Sequence, residues 1–436
     1  MLIEFRAANF RSLNEAQTLS LVAGSAGELV AEITIESGLP GFPRLLRSAV
    51  IYGANAAGKT NLLRALQFMQ RLVLTSATTS QPGSRIVHTP FRLSEATKSK
   101  PSEFEVVFVD AGVRYEYGFS VDAERIYSEW LIAYPHGRPQ NWFERTYHAD
   151  KKEYDWRFST KLKGSPRVWR DATRENALFL STAIQLNSAQ LLPVFEWFQK
   201  KLVMIFSNEL GEPQLNPTLT YQLLEQPDGK KKLLQFVRAA DLGIDDLSMQ
   251  QIPMVQAVMT EANVAREPRS PAPGPSVVRV TSLHKAVDSD TPVPMDLGEE
   301  SKGTRILIDS AGAWLNVLNN GEVILYDELD TSLHPLMTRF LIRLFHSRTT
   351  NPNNAQLIFT THDTSLLDSD LFRRDQVWFV EKDEKSASHV YPLSDFSPRK
   401  DEALERGYLK GRYGALPFRY PRSSASSLRG LNSDSG

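Results

Sequence analysis

The chain has 436 residues, with 50 lysines and arginines against 51 aspartates and glutamates, and no cysteine. Hydrophobic residues make up 41% and charged residues 23%, which excludes a fibrous or wholly disordered chain and leaves a globular one. The formal net charge of −1 gives no global field toward nucleic acid or an anionic membrane. The missing cysteine excludes disulfides, thiolate metal sites and cysteine nucleophiles. Charges at Glu4 and Arg6 break the apolar run that a signal peptide needs, and no stretch approaches the roughly 18 apolar residues of a membrane helix. A cytoplasmic protein with no membrane partner is expected.

In chain order, residues 2–13 read as a strand and turn, and residues 45–52 as a second apolar strand. Leu62, Leu63, Leu66, Met69, Leu72 and Val73 recur at helical spacing over residues 60–74. Residues 104–132 are rich in β-branched and aromatic side chains, with a turn at Asp110-Ala111-Gly112, and predict antiparallel strands. Residues 175–203 read as helix, and a shorter helix is expected over 231–240. The stretch 267–276 is proline-rich and reads as a loop, and residues 422–436 read as a disordered tail.

Between the second strand and its helix lies Gly53-Ala54-Asn55-Ala56-Ala57-Gly58-Lys59-Thr60, followed by Asn61. It fits the phosphate-loop pattern G-x-x-x-x-G-K-S/T in the strand–loop–helix context that pattern requires. Glycines at 53 and 58 let the backbone wrap closely, so that N–H groups face phosphates at the positive end of a helix. Lys59 is placed to neutralise the β and γ phosphates and Thr60 to join a magnesium shell.

A second signal is Val323-Ile324-Leu325-Tyr326-Asp327-Glu328, an apolar strand ending in two carboxylates. Asp327 suits Mg2+, directly or through water, and Glu328 suits a general base that polarises the attacking water. A third apolar strand, Leu357-Ile358-Phe359-Thr360-Thr361, ends at His362, placed to hydrogen-bond a γ-phosphate and the water. No base-reading N-K-x-D is visible, so ATP and GTP both stay open, with ATP and Mg2+ the expected cofactors.

This order resembles the ATP-binding cassette ATPases of the SMC, Rad50 and RecF branch. The resemblance implies an α/β P-loop NTPase fold: an ABC-type ATPase head with an antiparallel β subdomain and a helical insertion. It also places a Ser-x-Gly signature at Ser301-Lys302-Gly303, where Glu300 stands in place of the family's leucine. In such proteins the signature covers the γ-phosphate held by a second subunit, so Ser301 and Gly303 are implied to act in trans. Asp330 is implied to lie in the loop crossing that dimer interface. A narrower resemblance is to bacterial ATPases of abortive-infection and antiphage operons, of the AbiL/RloA and PARIS AriA type. It rests on Asn9-Phe10-Arg11-Ser12, on Asp327-Glu328-Leu329-Asp330-Thr331-Ser332-Leu333-His334-Pro335, and on residues 405–417. In related heads the Arg11 position approaches the phosphates. A family glutamine for magnesium and water has two candidates, Gln140 and Gln185.

These implications divide the chain into the N-terminal half of a head (1–165), a helical insertion lobe (166–266), the proline-rich loop, a C-terminal half (277–421) and the tail. The implied function is a nucleotide-driven sensor or switch in antiphage defence. It would work as a head-to-head dimer or higher assembly and control a separate nuclease or toxin encoded nearby. The alternative is a RecF/Rad50-like repair or recombination ATPase that clamps DNA. For that, Lys200-Lys201 and Lys230-Lys231-Lys232 are the basic clusters that could touch a backbone.

Overall fold

The structure is a computed structural model that describes residues 1–25, 29–208, 212–240, 242–253, 276–289, 291–331, 333–399 and 402–416. The expected tail, Ser332, and all of the proline-rich loop but its last residue lie outside the described residues.

Five strands open the chain: β1 (Leu2–Ala8), β2 (Gln17–Ser20), β3 (Thr34–Leu39), β4 (Phe42–Leu46) and β5 (Ser48–Tyr52). An antiparallel series follows: β6 (Ser102–Asp110), β7 (Val113–Val121), β8 (Ile126–Tyr134), β9 (Gln140–His148) and β10 (Glu153–Phe158). Next come β11 (Leu202–Ile205), β12 (Asp246–Pro253), β13 (Ser276–Lys285) and β14 (Pro292–Asp296). The last four are β15 (Val323–Tyr326), β16 (Gln356–Thr360), β17 (Val377–Lys382) and β18 (Ser388–Pro392).

Two large sheets hold the head together. One has seven antiparallel strands in the order β10-β9-β8-β7-β6-β1-β2. Its β6–β7 hairpin turns at Ala111 and Gly112, both with positive φ (46° and 76°), the combination a two-residue turn needs to match strand twist. The other sheet runs β11-β15-β16-β5-β17-β18, parallel except for β18. Every residue of β5, β15 and β16 is buried, as continuous apolar runs dictate for parallel strands covered on both faces. The Lys59–Thr75 helix lies between the sheets, with Leu62, Leu66, Met69 and Val73 in their shared core.

The expected helical run over 175–203 is broken into helices Phe179–Gln185 and Leu192–Lys200, then β11. Asn187 takes a left-handed φ of 62°, and Pro193 stands in the first turn of the second helix. The second helix packs inward: Trp197 stacks on Phe108 with centroids 4.2 Å apart. β11 then pairs with β15, so residues 202–205 belong to the head sheet and do not form part of a separate lobe. What stands apart begins later, with helices Thr218–Glu225 and Pro227–Ala239 and a three-stranded sheet, β12-β13-β14. It is therefore mixed rather than purely helical. It packs on the Lys302–Asn320 helix, where a Cβ on Gly312 would run into the backbone at Leu219 and Thr220. Among the described residues no helix is long and apolar enough to cross a membrane.

Candidate nucleotide site

Parallel topology delivers the C-terminal ends of β5, β15 and β16 to one edge, the place where open α/β sheets hold ligands. From β5 the chain enters the 53–58 loop, with Ala56 at φ 62° and Gly58 at φ 113° capping the helix that starts at Lys59. A Cβ on Gly53 would strike the Val380 carbonyl oxygen, and one on Gly58 would strike Ser388 Oγ and come within 2.7 Å of Ser12 Oγ. Gly53 is thus required by the backbone beside it, and Gly58 by its left-handed turn.

The Lys59 ammonium is buried and donates to the carbonyls of Gly53 (2.9 Å) and Ala54 (3.3 Å). Its third partner is His362 Nε2 at 3.0 Å. Burial lowers the Lys59 pKa to about 8, against the opposing pull of Glu328, Asp327 and Asp330. Burial and then the Lys59 charge lower the His362 pKa as well. The pair is therefore an ammonium donating to a neutral imidazole, whose Nε2 is the acceptor.

Asp327 is buried at the end of β15, and its Oδ1 accepts from Thr60 Oγ1 (3.1 Å) and Thr360 Oγ1 (2.8 Å). The Glu328 N–H donates to the same Thr360 hydroxyl at 2.7 Å. Glu328 has φ 58°, a left-handed conformation that turns the chain sharply off the strand, so the two adjacent carboxylates face different ways. Asp330 accepts from the His362 N–H at 3.2 Å. One cluster therefore gathers Lys59, Thr60, Asp327, Glu328, Asp330 and His362.

Other expected residues lie elsewhere. Asn61 donates to Ser12 Oγ at 2.8 Å, which locks the loop helix to the turn after β1. Asn55 is exposed and borders a cleft of about 720 Å³ shared with Glu381, Lys382, Asp383 and His389. Arg11 is not brought to the loop. It has φ 52°, its guanidinium lies 5.7 Å from the Phe10 ring, and it lines an adjoining cleft with Arg64 and Arg71. The left-handed turn sends Arg11 outward while its neighbour Ser12 faces the loop. Ser301 caps the Lys302–Asn320 helix, accepting from the Thr304 N–H at 3.1 Å, and is exposed. Gly303 sits in that helix's first turn. Glu300 does not imitate the leucine it replaces. Its carboxylate holds Ser282 Oγ and His284 Nε2, each at 2.6 Å, fastening the signature to β13. Gln140 stands at the start of β9, accepting from Trp142 Nε1, and Gln185 is exposed at a helix end, so neither joins the cluster.

Two participants have no sequence signal of their own, Thr360 and Ser388, and Ser12 is marked only as part of the Asn9-Phe10-Arg11-Ser12 turn. Ser388 Oγ donates to Ala57 O at 2.5 Å and accepts from Ser12 Oγ at 2.7 Å, tying β18 to the loop. The segment near the C-terminus buttresses the site from behind. Thr364 Oγ1 donates to Glu405 at 3.0 Å, and Tyr391 Oη donates to Tyr413 O at 3.0 Å.

The sequence profile of the family described as "AAA domain, putative AbiEii toxin, Type IV TA system" matches residues 48–188 and 212–368. No curated protein matches the chain. A crystal structure of the SmcHead bound to the C-winged helix domain of ScpA is similar over 90% of this chain and 97% of that one, at 13% identity and a TM-score of 0.38. The family match covers more than half of the chain and takes in the loop, the acidic pair and His362. The chain therefore belongs to this family of AAA domains.

Proposed function

We propose that the protein is a Mg2+-dependent ATPase that works as a nucleotide-driven switch in an antiphage, abortive-infection system of the AbiL/RloA and PARIS AriA kind, controlling a separate effector. The observation that carries the catalytic part is the shared Asp327 Oδ1, held by the hydroxyls of Thr60 and Thr360 from two sides. A buried carboxylate beside the loop threonine fits a hard divalent cation, which Asp327 and Thr60 would hold. Bound there, Mg2+ would neutralise charge on the phosphates. Lys59 exchanges its backbone carbonyls for phosphate oxygens, Glu328 polarises the attacking water, and neutral His362 donates to the γ-phosphate or accepts from the water.

The site is composite in this reading. Ser301, exposed at a helix N-terminus and away from the cluster in its own chain, completes the site of a second copy. Asp330 links that interface to His362 through the backbone contact. The antiphage role draws on the resemblance of the motifs, and the family's printed description names a putative AbiEii toxin of a type IV TA system.

Mixing two inactive variants tests the composite site. Lys59→Ala lacks the loop cation and Ser301→Arg blocks the signature, so each alone is inactive. A one-to-one mixture recovers roughly a quarter of wild-type hydrolysis, because half of the dimers carry one intact site. Hydrolysis by Ser301→Arg alone at the wild-type rate overturns the trans role. Co-purification of a toxin or nuclease from the native host supports the switch, and its absence under crosslinking counts against it.

A further inference from the structure

The seven-stranded sheet ends in β2 on one side and β10 on the other, and the two edges are finished differently. At β2, Gln17 Oε1 accepts from the Val390 N–H at 2.7 Å, so β18 of the parallel sheet closes that side. At β10, the ladder to β9 is the only backbone pairing of residues 153–158 among the described residues. An edge whose outward N–H and C=O groups are free is a template for one more strand.

β10 alternates strictly. Glu153, Asp155 and Arg157 are exposed, while Tyr154, Trp156 and Phe158 are half-buried on the other face. Trp156 packs on Phe158 and Phe179, with ring centroids 5.8 and 5.5 Å away, and the Arg145 guanidinium lies 5.3 Å from its ring centre. Arg145 is buried and paired with Glu129 at 3.0 Å. Glu129 also accepts from the N–H groups of Phe179 (2.7 Å) and Leu180 (3.0 Å) and from Tyr117 Oη (3.0 Å). A buried ion pair with its acceptors filled holds the end of the sheet in one place, so the edge is presented ready-made. Beside the aromatic face opens a cleft of about 380 Å³, lined by Tyr154, Trp156, Arg170 and Glu175 among others, which leaves space for an incoming side chain.

The edge is complementary to itself. When two copies of β10 lie antiparallel about a twofold axis normal to the sheet at Trp156, Asp155 of each faces Arg157 of the other. On the opposite face Tyr154 of each meets Phe158 of the other, and the two Trp156 rings meet at the axis. Opposite charges and aromatic pairs directly across are the favourable cross-strand combinations, and like charges across are unfavourable. Moving the axis to Asp155 would oppose two carboxylates, and moving it to Arg157 two guanidiniums, so the charges select one register.

We infer that β10 is an interface with a second copy of this chain, joining two seven-stranded sheets into one across a twofold axis at Trp156. In the single chain Asp155 and Arg157 reach one another along the strand at 3.3 Å, and in the pair each exchanges that exposed contact for one across the axis. The surface is separate from the composite site proposed above, because Lys59, Ser301, Asp327 and His362 all lie outside β9 and β10, so the pairing needs no nucleotide. One strand per copy is a small contact, below about 1,200 Å² in total, and the pairing is therefore weak and reversible. Where the composite site also forms, two different twofold contacts on each chain build an assembly larger than a pair.

Sedimentation velocity of the full chain without nucleotide, from about 1 to 100 μM, reads the pairing. Wild type should show a dimer whose fraction grows with concentration. Asp155→Arg and Arg157→Asp each set like charges across the axis and should weaken dimerisation at least about tenfold. Both side chains are exposed, so the thermal midpoints should stay unchanged. A one-to-one mixture of the two variants restores opposite charges in both pairs and should regain the dimer. The chain has no cysteine, so an introduced thiol reports position cleanly. Asp155→Cys mixed with Arg157→Cys should crosslink under mild oxidation at least about fivefold more than either alone, because directly opposed Cα atoms stand about 4.5–5.5 Å apart and diagonal ones about 7–8 Å. A wild type that stays monomeric at the highest concentration, a dimer that Asp155→Arg leaves unchanged, or crosslinking no greater in the mixture overturns the proposal.

Discussion

Lys59 Nζ stands 3.0 Å from His362 Nε2, so the loop cation and the histidine at the end of β16 engage one another directly. The contact requires a neutral ring, and burial together with the Lys59 charge supplies one by lowering the His362 pKa.

A pH dependence follows for nucleotide affinity. The Lys59 pKa in the nucleotide-free protein is about 8, lowered chiefly by burial, and bound phosphates would raise it. Affinity is therefore flat below about pH 8 and falls above it, by up to tenfold per unit. A titration with ATP should show roughly tenfold weaker binding at pH 9 than at pH 7.5; equal affinities would contradict the buried ammonium. The stability of the nucleotide-free protein runs the other way. Between about 8 and the ordinary lysine value the unfolded chain holds more protons, so this group's contribution to stability rises with pH across that window.

Thr360 is expected to matter as much as the motif residues around it. Its hydroxyl donates to Asp327 and accepts from the Glu328 N–H, so Thr360→Val leaves a buried carboxylate lone pair and a backbone donor unpaired. Hydrolysis should drop about tenfold to a hundredfold in kcat with KM little changed, and stability by about 1–3 kcal/mol. Steady-state kinetics with a thermal melt decide it, and a variant with wild-type kcat would remove Thr360 from the site.

Backbone strain at Glu328 gives a prediction independent of its chemistry. A non-glycine residue at φ 58° costs about 1 kcal/mol or more. Glu328→Gly should therefore be more stable than Glu328→Ala by about 1 kcal/mol, although glycine is the more flexible residue when unfolded. Denaturant unfolding of the two variants side by side measures the difference. Equal stability, or a more stable alanine variant, would mean that Glu328 is not held left-handed.

Much of this site is legible in the sequence because its signals are local. The loop, the acidic pair and the strand ending at His362 are each set by a few adjacent residues, and the parallel sheet brings them together. What stays hidden depends on long-range contacts. Thr360 and Ser388 are ordinary strand residues until the fold sets them beside Asp327 and Ala57. Sequence alone does not place Arg11, because its left-handed φ, which turns its side chain away from the loop, has no signal in an arginine, although Asn9 favours such a φ. The 166–266 stretch reads as one helical lobe because Val203-Met204-Ile205 is too short a run to tell a buried strand from the end of a helix.

In the proposed function, the Lys59–His362 contact and the Asp327 junction hold ATP and hydrolyse it. Glu328→Gln tests that most directly, because it removes the base while keeping shape and volume. Its steady-state ATP hydrolysis, measured beside ATP affinity and a sizing profile, should fall at least a hundredfold in kcat. Affinity should stay within about threefold and a dimer or larger assembly should accumulate with ATP. Hydrolysis at the wild-type rate would contradict the account.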